Sequence, residues 1–166
     1  MSNNDQATCP QLERGQIIPA FTLPGPDGMP HSPWDYKQRE HLLLLFIQNA
    51  TNSEGRSLLR AFARDYAVLR AEECSLMTIT ADSMISNVEA HTTLRLPFPL
   101  LPDVQGGVIS RYTRWESTTH TLAPCIVLAD RYGALYEHWI VESAVELPPI
   151  PELVEILQYL NRLCTP

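Results

Sequence analysis

"LLLLFIQNATNSEGRSLLRAF", residues 42–62, reads from a buried strand through a short polar loop into an amphipathic helix. The apolar run is unbroken and of strand length, the pattern of a central strand covered on both faces. Thr51, Asn52 and Ser53 are helix-capping residue types, and beyond them Leu58, Leu59, Phe62, Tyr66 and Leu69 recur at helical spacing. A loop at the mouth of a helix often seats a reactive thiol, because the helix N-terminus stabilises a thiolate. Here the loop is polar and contains no cysteine.

Downstream, "SLMTIT" (75–80) is a second strand, and Asp82 and Ser83 are N-cap candidates for the helix that follows. Strands alternating with helices imply a right-handed crossover and parallel pairing. After "PFPLLPD" a short helix is expected over residues 105–112, weakened by Gly106 and Gly107. "PCIVLAD" and "ALYEHWIV" flank Arg131-Tyr132-Gly133 and read as a β-hairpin. Near the C-terminus Leu153, Ile156, Leu157, Leu160 and Leu163 share one helix face. Upstream, "GQIIPAFTLPGPDGMPHSPWDY" carries the turn signal Pro26-Asp27-Gly28 between short extended pieces, an expected leading β-hairpin.

The 166 residues suit one domain, expected over residues 15–166 behind a flexible segment, residues 1–14. Hydrophobic content of 45% with 19% charged residues excludes a disordered chain. A net charge of −7 without a basic run argues against nucleic acid as a partner. The N-terminus lacks a signal-peptide pattern, and the longest apolar run, Leu42 to Ile47, is too short to span a bilayer, so no membrane association and a cytoplasmic location are expected. Cys9, Cys74, Cys125 and Cys164 form no CxxC pair and no zinc-like spacing.

Specific residues add a family resemblance. The leader from Gly15 to Gly28, Asp35-Tyr36, "ITADSMISNVEAHTTLRLPFPLLPD" (79–103), and Tyr112 with Trp115 together resemble the peroxiredoxin family of alkyl hydroperoxide reductase and thiol-specific antioxidant type, over roughly residues 15–163. The resemblance implies an α/β, thioredoxin-like fold: a central mixed sheet with helices on both faces and an N-terminal β-hairpin. It implies a peroxide-reducing cysteine in a P-x-x-x-[ST]-x-x-C motif at the start of the first long helix. Aligned on Phe46 and Phe62, Gln48 falls at the proline, Asn52 at the Thr/Ser and Gly55 at the cysteine; aligned with CxxC reductases, Thr51 and Glu54 fall at the two cysteines. Either alignment leaves the motif without its sulfur, since no cysteine occurs between Cys9 and Cys74. The family's active-site arginine finds Pro124 near its position. By resemblance to thioredoxin-like reductases, Pro124 is expected to be cis and to bring Cys125 close to the degenerate loop.

Cys125 is accordingly the alternative catalytic thiol, tuned by His120 or by the helix dipole, although a cysteine within "CIVLA" is commonly a buried core residue. Cys74 opens a buried strand, and Cys9 with Cys164 are either two ordinary thiols or a disulfide within or between chains. His120 and His138 with Glu116 or Cys125 match no metal-ligand spacing, so no metal is expected, and no cofactor motif is present. Asp82 is better explained as a cap, and Glu89 and Asp103 as solvated residues, than as acid–base catalysts. Trp34, Trp115, Trp139 and Tyr136 read as core and subunit interface. The polar group Gln48, Asn49, Thr51, Asn52, Ser53, Glu54 and Arg56 at the helix N-terminus has the chemistry for a small anion or a polar peptide, although such residues usually just cap the helix.

Three functions follow as expectations: a redoxin without peroxidase activity working as a binding or regulatory module, a divergent thiol oxidoreductase using Cys125, or a structural homodimer built on the family's dimer surfaces.

Overall fold

The computed structural model describes residues 9–163. Nine strands and three α-helices alternate along them: β1 Leu23–Pro24, β2 Pro30–His31, β3 His41–Ile47, α1 Ser53–Ala71, β4 Cys74–Thr80, α2 Met84–Leu94, β5 Leu100–Pro102, β6 Trp115–Glu116, β7 Thr121–Leu122, β8 Cys125–Ala129, β9 Leu135–Ile140 and α3 Ile150–Leu163. Five strands form the central sheet in the order β5-β4-β3-β8-β9. β3 pairs in parallel with β4 and antiparallel with β8. The all-apolar β3 therefore sits at the centre, where both its faces are covered and none of its residues is exposed.

Side chains alternate between two cores. Leu43, Leu45 and Ile47 point toward α1, α2 and α3, where Leu59, Phe62, Leu69, Ala90, Leu153, Leu157 and Leu160 close over them. Leu42, Leu44 and Phe46 point the other way, toward Ile18, Phe21 and Leu23 of the leader and toward Val108, Ile109 and Tyr112. Helical cover on that second face consists of two 3₁₀ turns, Pro33–Asp35 and Ile109–Arg111. The first has its capping box supplied by Ser32 and Asp35.

Asn52 caps α1 through Gly55 N–H, and Ser83, rather than Asp82, caps α2 through Ser86 N–H. The leading hairpin forms as β1 and β2, joined through Gly28 in the left-handed region at φ 76°. The helix expected over residues 105–112 shrinks to a single 3₁₀ turn. Gly106 is in the left-handed region at φ 70°, and Asp103 accepts from Val108 and Ile109 N–H at 2.8 and 2.7 Å, which caps the turn too late for an α-helix to propagate. The strand pair β6–β7 was not evident in the sequence; two-residue strands carry no periodicity to read.

Of the segment expected to be flexible, residues 1–8 lie outside the described residues, as does Cys164. Leu12 packs against the leader-side core, and the Arg14 guanidinium donates to Tyr136 O at 2.8 Å. Among the described residues no helix is long and apolar enough to cross a membrane.

Candidate functional site

The loop between β3 and α1 ties itself shut with its own side chains. Asn49 Oδ1 accepts from Thr51 N–H at 3.2 Å and Asn52 N–H at 2.9 Å, and Asn52 Oδ1 accepts from Gly55 N–H at 2.7 Å. These are the short-range Asx bonds that Asn makes at turns and helix starts. Gly55 is buried, and a Cβ built on it would stand 2.0 Å from the Asn49 carbonyl oxygen. Its backbone is ordinary helix, so what the position demands is the absence of a side chain.

The neighbours of Gly55 are engaged in structure too. Glu54 reaches across to the 3₁₀ turn Ala144–Glu146, accepting from Ser143 Oγ–H at 2.8 Å and Ala144 N–H at 2.9 Å. Gln48 braces the β6–β7 hairpin from both sides: its amide donates to His120 O at 2.8 Å and its carbonyl accepts from Leu122 N–H at 2.9 Å. Beneath the loop Asp82 accepts from Ala50 N–H at 3.4 Å, and partial burial holds its carboxyl above the usual range. Thr51, Ser53 and Arg56 face solvent, and Arg56 enters none of the ion pairs among the described residues.

Sequence reasoning missed the bracing role of Gln48. The one available signal was the Ser/Thr-rich turn at residues 117–121, which marks a loop without saying what holds it. His120, in the left-handed region at φ 53°, turns its Nδ1 to Val104 O at 2.9 Å and its ring edge-on to Trp115 at 5.6 Å. Trp115 in turn lies on Gly106, where a Cβ would be 2.1 Å from the indole.

Cys125 pairs in register with Phe46, two residues before Gln48, so it does lie beneath the loop. The peptide bond before Pro124, however, is trans, as are all described peptide bonds, contrary to the cis expectation. Cys125 is completely buried, its thiol aimed at Tyr112 O at 3.9 Å. Burial, with a smaller push from Cys9, raises its pKa well above that of a free thiol, against an opposing hydrogen bond with Thr113. Cys74 is buried on the other face and its pKa is likewise raised by burial. A neutral buried thiol is a poor nucleophile. His138 points its Nε2 at Tyr112 O at 2.9 Å, away from any metal geometry, and no cluster of three metal-ligating side chains occurs among the described residues. Of the aromatic set expected in core and subunit interface, Trp115, Trp139 and Tyr136 are half-buried and Trp34 is 56% exposed, beneath the Lys37 ammonium at 4.0 Å.

The mixed five-stranded sheet, the leading hairpin and a long helix springing from the central strand define a thioredoxin-like redoxin. The chain matches the AhpC/TSA family over residues 14–138, and it belongs to that family. Its fold is similar to that of the peroxidoxin BcpB from Mycobacterium tuberculosis, with a TM-score of 0.79 at 17% identity, covering 90% of this chain and 99% of that one. It is also similar to a thiol peroxidase from Chromobacterium violaceum, with a TM-score of 0.75 at 19% identity, covering 92% of this chain and 90% of that one. No curated protein sequence matches it.

Proposed function

We propose that this redoxin has lost peroxidase chemistry at the α1 mouth and works as a cytoplasmic binding or regulatory module that receives a polar or acidic ligand, such as a peptide, at that mouth. The reading is carried by Gly55, the residue that aligns with the family's peroxide-reducing cysteine: it is packed against the Asn49 carbonyl with no room for any side chain. The thiol beneath the loop, Cys125, is buried and held protonated. The exposed Arg56, with the positive end of α1 behind it, supplies the attraction for a negative or polar group. The burial of Cys125 weighs against a relocated thiol enzyme. Exposure of Trp34 supports a homodimer as a second feature of the protein.

The test is affinity capture with three forms of the chain: wild type, a form with all four cysteines replaced by Ser, and Arg56→Glu. The reading expects the same partner with wild type and the cysteine-free form and its loss with Arg56→Glu. Capture that requires a cysteine, through a mixed disulfide, would refute it.

A further inference from the structure

The N-terminal segment packs on the face of the sheet that holds the Cys125 thiol. Gly15 and Leu135 are joined by a backbone bond of 2.7 Å, and Arg14 is bound to Tyr136 O and to the Glu137 carboxylate, which pins the chain to β9. Further along β9, Ile140 is paired with Cys125. Four residues of strand cover about 13 Å, and two strand spacings, from the segment to β9 and from β9 to β8, add about 9.6 Å sideways, a span of about 16 Å of which a disulfide itself bridges about 5.5 Å between Cα atoms. The five residues from Arg14 back to Cys9 reach at most about 17 Å, so the tether is long enough. Leu12, within this segment, packs against the apolar cluster that contains Cys125, Ile140 and Tyr112, which puts the segment on the face of the sheet that holds the thiol. Cys9 is exposed at the free side of this segment. Burial first, and a charge on Cys9 second, push the Cys125 thiol up. Cys74 lies in the other core, behind the sheet.

We propose that Cys9 and Cys125 form a reversible intrachain disulfide, a redox clasp that fastens the N-terminal segment across the sheet face beneath the α1 mouth. The co-reactant is a low-molecular-weight disulfide, RSSR. The Cys9 thiolate attacks one sulfur of RSSR, forming Cys9–S–S–R, and the displaced RS⁻ leaves as RSH with the proton that Cys9 gave up. The Cys125 sulfur then attacks the Cys9 sulfur; the S–S bond to R breaks and a second RSH departs with the Cys125 proton. Two protein thiols are oxidised and one disulfide is reduced to two thiols. Cys125, sitting in β8, stays in place, and the segment bearing Cys9 moves in to reach disulfide geometry. Because the second step needs the Cys125 thiolate, closure accelerates about tenfold for each pH unit below the Cys125 pKa. The clasp does not depend on what binds at the α1 mouth.

The experiment incubates the reduced full chain with oxidised glutathione across pH 7–9 and maps peptides without reduction. The expected result is simultaneous loss of free Cys9 and Cys125 into one crosslinked peptide in monomeric protein, with Cys74 still free and the rate rising with pH. Cys125→Ala is expected to stop at the Cys9–glutathione mixed disulfide. Cys9→Ser, which leaves the buried core untouched, is expected to leave Cys125 unmodified. Wild-type protein that halts at the Cys9–glutathione stage with Cys125 free, or in which Cys9 joins Cys164 or a second copy, overturns the proposal.

Discussion

Replacing Gly55 with Ala tests the packing of the α1 mouth with a single methyl group. Helix propensity alone favours the change, since Ala is better than Gly in a helix by about 1 kcal/mol. The geometry opposes it: the new Cβ would stand 2.0 Å from the Asn49 carbonyl, roughly 1.4 Å inside ordinary contact. That atom is backbone, fixed by a loop whose Asn49 and Asn52 side chains bond the chain on either side, so it cannot swing aside as a flexible side chain would. Overpacking of this kind costs about 1–3 kcal/mol, and distortion of the Asn52 cap adds about 1 kcal/mol. The net expectation is destabilisation by about 2 kcal/mol, a fall in Tm of about 4–8 °C for a domain of this size. Calorimetry or thermal circular dichroism reads it directly. A variant that melts at or above wild type would refute the steric argument. Gly55→Cys carries the same burden, and on this account it restores no peroxidase activity.

Three further outcomes are expected. Asn52→Ala removes the α1 cap and lowers stability by about 1 kcal/mol in denaturant titration, whereas Asn52→Asp holds it. Gln48→Ala removes both bonds that brace β6–β7 and costs about 1–2 kcal/mol, with faster amide exchange at Leu122; unchanged exchange there would contradict the bracing role. His41 is buried at the base of β3 with its Nε2 on Asn161 Oδ1 at 2.9 Å and its Nδ1 unpartnered. Burial, then the Arg131 charge, hold its pKa below the ordinary 6.5 against the opposing bond from Asn161 and the charges of Asp130 and Glu73. The unfolded chain thus takes up the proton first, so the stability contributed by neutral His41 is present above about pH 6.5 and drains away as pH falls toward the folded-state pKa. A His41→Gln variant is expected to show a flatter Tm profile between pH 7 and pH 5, and parallel profiles would count against this assignment.

Much of this architecture could be read from the sequence because its signals are strong and local. The unbroken apolar run of β3, the capping residues before α1 and α2, and the Asp130–Gly133 turn each state their own conformation. Of the loop at the α1 mouth, its polar character, its lack of cysteine and the capping residue Asn52 were legible. Illegible were the features set by contacts between distant residues: the Gln48 side chain bridging 72 and 74 positions onward, Glu54 reaching 89 positions to Ser143, and the seating of Trp115 on Gly106. Pro124 shows the limit of resemblance, since its place in a reductase-like strand suggested a cis bond where the chain has a trans one.

The most direct test of the central claim is the consumption of hydrogen peroxide and an alkyl hydroperoxide by the fully reduced chain, beside Cys125→Ser, with mass spectrometry of each cysteine. The account predicts no turnover above the rate of free thiols and no difference between the two proteins. Rapid consumption that disappears with Cys125→Ser would contradict it, and would mean that the nucleophile of this fold has moved from the helix mouth to the facing strand.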